Sequence, residues 1–236
     1  MLEAVALTKS FGGHRALDHL DLRVEPEEIV CLLGANGAGK TTTINLFLGF
    51  LEPTSGEARV DGIDVRADPV GTKRKLLYVP EQIALFGELT GVENLAYFAA
   101  LSGVEDRSKG NLRECLRQAG LADVAMDRRA AGYSKGMRQK VGVALAIAKQ
   151  ARAMLLDEPT SGLDPQASAE FHALIVRQRD AGAAILMVTH DLFRAREVGT
   201  RIGVMREGRL RRMMPAADIT ASELENLYLQ EMAKAG

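Results

Sequence analysis

The sequence predicts an α/β fold in which helices flank a mixed sheet, with antiparallel β-structure at the N-terminus and an inserted block of helices. The apolar runs at residues 29–33, 153–156 and 183–188 are each typical of a buried strand. Helical patterns follow these runs, which is the alternation of an α/β core. Between residues 88 and 127 the spacing of apolar residues is helical and interrupts that alternation. We therefore expect a helical subdomain inserted into the core.

The remaining elements follow from local patterns. Residues 1–28 are predicted to be β-structure, because Leu20, Leu22 and Val24 alternate with polar residues. The other predicted helices lie at 42–48, after the segment 133–137 and through residues 141–148, at 166–179 and from about 221. The other predicted strands lie at 57–65 (bent at 61–62), 76–80, 201–205 and 209–213. We interpret the chain as one domain over residues 1–236, with the helical subdomain at about 83–150 and short strands and a helix at about 200–236.

The segment GANGAGKT, directly after the first buried strand, matches the phosphate-loop pattern G-x-x-x-x-G-K-[ST]. Gly34, Gly37 and Gly39 allow a tight bend that turns backbone N–H groups towards phosphate oxygens. Lys40 supplies positive charge for the β- and γ-phosphates, and Thr41 offers its hydroxyl to Mg²⁺. The alternative is a glycine-rich turn that matches by chance. The buried strand before the loop and the helix after it favour a nucleoside triphosphate site.

Composition excludes several classes of partner. The chain of 236 residues has a formal net charge of −1, so it presents no strong field for nucleic acid or an acidic membrane. Its two cysteines, Cys31 and Cys115, are too few for a disulfide framework and are expected to be reduced thiols in a cytosolic protein. We find no apolar run long enough to span a bilayer and no signal-peptide pattern at the N-terminus.

Two carboxylates follow the apolar strand at residues 153–156. Asp157 stands where phosphate-loop NTPases hold Mg²⁺, and Glu158 is placed to activate or orient the attacking water. Adjacent carboxylates repel each other, so the pair costs free energy unless a cation or a reaction compensates. A solvated acidic turn is the alternative, and the phosphate loop makes the functional interpretation the better one.

Three further side chains are candidates with an ordinary structural alternative. Gln82 follows the strand at 76–80 and could bind Mg²⁺ or the water, although such a glutamine is usually just exposed. His190 follows the strand at 183–188 and could donate to the γ-phosphate, although a lone histidine is more often structural. Phe11 could be ordinary core or a ring that stacks on a purine base.

Ser134 predicts a second anion site. It is placed to cap the following helix, whose N-terminal amides then favour an anion. One nucleotide needs only one phosphate cradle, so a second makes sense if it closes over a nucleotide held by another copy of the chain. A plain capped helix is the alternative.

Taken in order, these residues resemble the ATP-binding cassette (ABC) family over essentially the whole chain. The matching positions are Phe11, the phosphate loop from Gly34 to Thr42, Gln82, the signature loop Tyr133-Ser134-Lys135-Gly136-Met137, Asp157-Glu158-Pro159, the D-loop Ser161-Gly162-Leu163-Asp164, and His190. The resemblance implies that ATP is bound by Phe11, Gly34, Asn36, Gly37, Ala38, Gly39, Lys40, Thr41, Thr42, Ser134, Lys135, Gly136 and Asp164. It also implies Glu158, His190 and Gln82 as catalytic residues, and Thr41, Gln82 and Asp157 as Mg²⁺ ligands.

The signature loop departs from the family's usual Leu-Ser-Gly-Gly-Gln. Tyr133, Lys135 and Met137 replace its first, third and fifth residues, while Ser134 and Gly136 are kept. This variant resembles the cassettes of type-two exporters of drugs, antibiotics, polysaccharides or lipids. Lys135 either adds positive charge near the triphosphate or points to solvent.

The family resemblance implies a head-to-tail pair of identical or related subunits around two ATP-Mg, each site combining one chain's phosphate loop with the other's signature loop. It also implies a separate multi-span membrane subunit, contacted beside Gln82 with Phe86, Glu88 and Leu89 as candidates, and a location on the cytoplasmic face of the membrane.

Two other functions remain as alternatives. A soluble cassette acting on ribosomes or DNA usually carries two cassettes or a long coiled-coil insertion, and this chain has neither, nor a basic face for nucleic acid. A small-molecule kinase would leave the signature loop, the D-loop and His190 unexplained.

Overall fold

The computed structural model describes residues 1–233, which form two sheets and nine α-helices over that part of the chain. The strands are β1 (Leu2–Phe11), β2 (His14–Val24), β3 (Ile29–Leu33), β4 (Ser55–Val60), β5 (Ile63–Asp64), β6 (Leu76–Val79), β7 (Ala153–Asp157), β8 (Ala184–Thr189), β9 (Arg201–Arg206) and β10 (Arg209–Pro215). The helices are α1 (Lys40–Phe47), α2 (Pro69–Lys75), α3 (Gly91–Leu101), α4 (Lys109–Gln118), α5 (Asp123–Met126), α6 (Lys135–Ala148), α7 (Pro165–Asp180), α8 (Leu192–Val198) and α9 (Ala221–Ala233).

The larger sheet is mixed, as the sequence predicts. Its strand order is β10-β9-β3-β8-β7-β6, and only β10 runs antiparallel to its neighbour. All five residues of β3 are buried, because the strand is covered on both faces. Ile29, Cys31 and Leu33 pack into one hydrophobic core, and Val30 and Leu32 pack into a second core on the opposite face.

The smaller sheet is the predicted antiparallel N-terminal structure. Its order is β2-β1-β4-β5, and every neighbouring pair is antiparallel. Leu20, Leu22 and Val24 are buried in the second core, so their predicted alternation along the strand is confirmed. This sheet therefore closes the face of the larger sheet that carries Val30 and Leu32.

Helices α3 to α6 occupy the chain between β6 and β7. They pack on one another through α3, α4 and α6 and contribute to the first core. Thr90 starts α3 with a reciprocal capping box to Glu93. The Tyr133 hydroxyl donates to the Ala125 carbonyl (2.6 Å) and fixes the approach to α6. Within residues 1–233, none of the helices is both long and apolar enough to cross a membrane.

Some sequence predictions of elements need correction. The first helix begins at Lys40, two residues before the predicted start. Helices α2 and α8 were not predicted, because each has only seven residues, which is too short for a helical period to stand out. Their N-caps Asp68 and Asp191 are the local signals that mark them. The end of the predicted domain, residues 234–236, lies outside the described residues.

Candidate nucleotide site

The candidate site forms where three parallel strands end side by side. Strand β8 lies between β3 and β7, with Leu33 opposite Thr189 and Asp157 opposite Val188. The phosphate loop, Asp157 and Glu158, and the segment from Thr189 therefore leave the same edge of the sheet. Ligands of α/β sheets bind at this carboxyl edge.

The phosphate loop has a backbone that only glycine adopts easily. Gly37 and Gly39 have φ of 82° and 104°. A Cβ on Gly34 would lie 2.5 Å from the Met205 carbonyl oxygen, so the loop packs directly against β9. Gly39 starts α1 without a side-chain cap. The first amides of α1 are therefore not used by a cap and are available to an anion.

Lys40, the first residue of α1, is only 8% exposed. Its ammonium donates to the carbonyl oxygens of Gly34 and Ala35. Burial lowers the pKa of Lys40, and the nearby carboxylates of Glu158 and Asp157 oppose that shift. The structure thus brings the predicted phosphate-binding lysine and the two predicted carboxylates into electrostatic contact. Of the other loop residues, Asn36 and Thr41 are exposed.

Asp157 is partly buried at the end of β7. Burial, and next the charge of Glu158, raise the pKa of its carboxyl group. The Tyr78 hydroxyl donates to Asp157 Oδ2 over a long 3.4 Å. Burial, together with the Asp157 charge, raises the pKa of Tyr78 to about 12, so this hydroxyl keeps its proton at neutral pH. The excess negative charge at this edge is what a bound cation would compensate.

Glu158 is held in an unusual conformation. Its φ is 45°, in the left-handed region, and its N–H donates to the Val188 carbonyl (3.0 Å). The Thr189 hydroxyl donates to Oε2 (3.2 Å), and His190 Nδ1 lies 2.9 Å from Oε1. The structure therefore joins two predicted catalytic residues, Glu158 and His190. The sequence analysis missed Thr189, whose signal is its position as the last strand residue before His190.

Gln82 and Phe11 both point outwards. Gln82 is exposed just after β6. Phe11 is 46% exposed at the tip of the β1–β2 hairpin, which rules out the ordinary-core alternative. The Lys9 ammonium lies 5.0 Å from the centre of the Phe11 ring. A base stacking on Phe11 is thus compatible with the exposed ring.

The signature loop starts α6 as predicted. The Ser134 hydroxyl accepts from the N–H of Met137 (3.3 Å), so Ser134 is an N-cap. The Lys135 ammonium donates to the Ser161 carbonyl of the D-loop and lies 3.7 Å from Glu81 Oε1. Asp164 caps α7 by accepting from the Ala167 N–H (2.8 Å). Over residues 1–233, no hydrogen bond or ion pair joins the signature loop to the phosphate loop.

The predicted Mg²⁺ ligands have the chemistry that this ion prefers. Thr41 offers a hydroxyl, Gln82 an amide oxygen and Asp157 a carboxylate, all hard oxygen donors. The described part of the chain holds no cluster of three His, Cys, Asp or Glu residues that could bind a metal.

A buried lysine in a glycine-rich loop, beside two carboxylates at the carboxyl edge of a mixed sheet, defines a phosphate-loop ATPase. The chain belongs to the ABC transporter family, whose model matches residues 17–161. Its resemblance to that family is therefore confirmed, and it is an ATP-binding subunit and an ATP hydrolase.

Known proteins support this placement over nearly the whole chain. The daunorubicin/doxorubicin resistance ATP-binding protein DrrA of Streptomyces peucetius is 35% identical over 226 residues, which are 95% of this chain and 67% of that protein. A solved structure of an ATP-binding subunit of an ABC transporter covers 98% of both chains, with 30% identity and a TM-score of 0.85. A dimeric post-hydrolysis structure of the ATP-binding cassette MJ0796, bound to ADP and Pi, has 26% identity, a TM-score of 0.79 and covers 92% of this chain and 99% of that one.

Proposed function

We propose that this chain is the motor subunit of an exporter and hydrolyses ATP-Mg to drive a separate membrane subunit. The observation that supports it best is the Glu158–His190 pair beside Lys40 and Asp157. In this proposal Glu158 is the base, His190 its partner, Lys40 the cation and Asp157 a metal ligand, all at one edge of the sheet. The drug-resistance name of the relative in Streptomyces peucetius supports export rather than import.

The residues have distinct roles in the proposed hydrolysis. Lys40 and the amides that start α1 hold the β- and γ-phosphates. Glu158 takes a proton from the attacking water or orients it, with one carboxylate oxygen fixed by the Thr189 hydroxyl. The side chain of His190 is 70% exposed and lies against the other Glu158 oxygen, from where it would donate to the γ-phosphate.

Mg²⁺ would be held by Thr41, Gln82 and Asp157 and would neutralise the charge of the phosphates. Phe11 would stack on the adenine.

The second half of each site would come from a partner chain, identical or related. Ser134, Lys135, Gly136 and Asp164 of one chain would face the nucleotide on the other. Ser134 is exposed, so its hydroxyl and the first amides of α6 are accessible from outside the chain. ATP would close this pair, and loss of the γ-phosphate would open it.

A surface beside Gln82 is suited to the membrane subunit. Phe86 is 47% exposed and its ring centre lies 4.8 Å from that of Tyr97. Asn94 is fully buried and fixes this segment by accepting from the Phe86 N–H (2.8 Å) and donating to the Leu89 carbonyl. Glu88 is paired with Arg129 (2.6 Å). In this proposal the exposed aromatic patch near Gln82 passes the mechanical stroke to the membrane subunit, and the protein sits on the cytoplasmic face through that contact.

The variant Glu158→Gln tests the hydrolytic role. Glutamine has the size of glutamate and one oxygen that accepts hydrogen bonds, but it lacks the carboxylate that would act as the base. The kcat should therefore fall by about 100-fold or more. ATP binding should persist, and ATP-Mg should shift the protein to a dimer in size-exclusion chromatography. Glu105→Gln, at an exposed loop position, is the matched control and should hydrolyse ATP normally. Normal hydrolysis by Glu158→Gln would refute the role given to Glu158.

The same trapped variant tests the membrane partner. We would purify it with ATP from its native membranes in mild detergent and identify the proteins that come with it. A stoichiometric multi-span subunit is expected. Ribosomal or DNA-processing proteins, with nothing from the membrane, would instead favour the soluble cassette.

A further inference from the structure

Gln139, on the signature helix α6, makes contacts that the proposed mechanism does not use. Its side chain is fully buried. Its Nε2 group lies 3.3 Å from the carbonyl oxygens of Pro80 and Glu81, and 3.1 Å from that of Pro159. Pro80 and Glu81 directly precede Gln82, and Pro159 directly follows Glu158. One amide group therefore contacts both segments that carry the candidate catalytic residues.

The number of hydrogen atoms makes these contacts unusual. An amide nitrogen carries two hydrogens, but three carbonyl oxygens surround it, so the three acceptors must share two donors. The Oε1 atom of Gln139 is buried and has no hydrogen-bond partner within residues 1–233. A buried acceptor without a partner costs stability. Core stability alone therefore does not account for a glutamine at this position.

Lys135 makes a parallel connection one helical turn earlier. Positions 135 and 139 lie on the same face of α6. The Lys135 ammonium contacts the Ser161 carbonyl and lies near Glu81, so it reaches the same two segments as Gln139. The signature helix is thus joined to the Gln82 segment and to the Glu158–D-loop segment by two polar side chains in succession.

From these contacts we infer that Gln139 is a positioning residue for hydrolysis, which sets the placement of Gln82 and Glu158 according to the position of the signature helix. The inference rests on the catalytic roles proposed for those two residues. A movement of α6 is passed to both segments through the shared Nε2 group. Gln139 is fully buried, so it would act through these two segments and not by contact with the reacting groups.

A positioning role predicts a specific kinetic effect. Loss of the Nε2 contacts leaves the phosphate loop unchanged, so ATP should still bind. It misplaces the groups that act on the attacking water, and such misplacement lowers kcat by about 10- to 100-fold. The KM for ATP should stay within about 3-fold of the wild-type value, because binding is not the step affected.

The test compares Gln139→Met with Gln118→Met in the purified full-length chain. Methionine has a similar length but no donor. Gln118 is an exposed glutamine of α4, bonded to Glu114 (3.2 Å), and its replacement is the same chemical change away from the site. We would measure kcat, KM for ATP and thermal unfolding for both. Only Gln139→Met should lose kcat, while retaining a cooperative unfolding transition.

A second variant keeps the test decisive if methionine is not tolerated. Gln139→Asn retains the amide but is too short to reach all three carbonyl oxygens, and it should lose kcat as Gln139→Met does. Normal kcat in either variant would overturn the inference. So would a loss confined to KM, or unfolding of both variants, since Gln139 would then serve nucleotide binding or stability.

Parallel assays of Glu158→Gln separate this inference from the proposed function. If Glu158→Gln hydrolyses ATP normally, the proposed role of Glu158 fails whatever Gln139 does. If Glu158→Gln is inactive and Gln139→Met is normal, only the positioning role of Gln139 is refuted.

Discussion

The two helix N-termini assigned to phosphate binding, those of α1 and α6, are built differently. Helix α1 starts at Gly39 with no side-chain cap and has a buried Lys40 in its first turn. Helix α6 starts at Ser134, whose hydroxyl accepts from the helix's own N–H of Met137. Its lysine, Lys135, is bound to a carbonyl of the same chain. The first terminus has uncapped amides and a cation within its loop, whereas in the second the Met137 N–H and the lysine are engaged within the same chain.

This difference indicates which half of the site acts alone. The phosphate loop, the proposed Mg²⁺ ligands and Phe11 all belong to one chain, so an isolated chain should bind nucleotide. Ser134 already caps α6, so the signature loop alone should bind phosphate weakly. It should contact a nucleotide only when that nucleotide is bound in the phosphate loop of a partner chain. The comparison predicts that damage to α1 abolishes binding, whereas damage to α6 affects turnover.

The largest effect should come from Lys40→Ala. Removing the buried ammonium leaves the phosphate charge without its main partner in the loop, and ATP affinity should fall by about 100-fold or more. Equilibrium binding of a fluorescent ATP analogue measures it. Lys140→Ala is the control: it removes a lysine of the signature helix α6 that forms a surface ion pair with Glu170 of α7. This variant should bind ATP normally. Retained affinity in Lys40→Ala would contradict the assignment of the loop.

An intermediate effect is expected for Ser134→Ala. Loss of the cap should cost about 1 kcal/mol of unfolding free energy. Loss of the hydroxyl towards the partner's nucleotide should lower kcat by about 10-fold or more. Ser108→Ala is a close control, because Ser108 caps α4 through an equal 3.3 Å bond from Asn111. It should lose similar stability and keep its ATPase rate. Equal rates for the two variants would make Ser134 a plain cap.

The smallest effect concerns Lys149, at the C-terminal end of α6, whose pKa burial lowers to about 8. Between that value and the ordinary 10.5, the folded chain has lost a proton that the unfolded chain keeps, so unfolding free energy should rise with pH. Urea unfolding of the wild type and Lys149→Met at pH 8 and 10 measures it. Part of the rise should be missing in Lys149→Met. Parallel profiles would show that Lys149 does not titrate in this range.

Much of the fold could be predicted because its signals are local and strong. Strand β3 is a run of five apolar residues, and Ser134 predicts the start of α6 because serine is a common N-cap. Helices α2 and α8 were not predicted because each is only seven residues long, and α2 buries only Thr72, so neither gives a long periodic pattern. Their capping aspartates were present in the sequence, but a single cap is common in loops as well.

The candidate site was predictable only as far as single residues. Glu158 and His190 are far apart from Lys40 in sequence, and motif order alone indicates that they converge. The contacts that fix them were not predictable. The pairing of Thr189 with Glu158, and of Gln139 with Pro80 and Pro159, depends on strand register and helix placement. The contact of Lys135 was not predictable either. The sequence analysis left open whether its ammonium lies near the triphosphate or in solvent, whereas in the structure it donates to the Ser161 carbonyl of the same chain.

The pairing of β3 has a consequence for synthesis of the protein. The strand that leads into the phosphate loop lies near the start of the chain, yet its two neighbours, β8 and β9, begin at Ala184 and Arg201. A ribosome adds roughly 5–20 residues per second, so this apolar strand waits many seconds for both partners. During that interval the nascent chain carries a complete phosphate-loop motif without a formed nucleotide site. ATP can therefore assist folding of this site only after β8 and β9 have been made, and a chain truncated before Ala184 should be a substrate for chaperones.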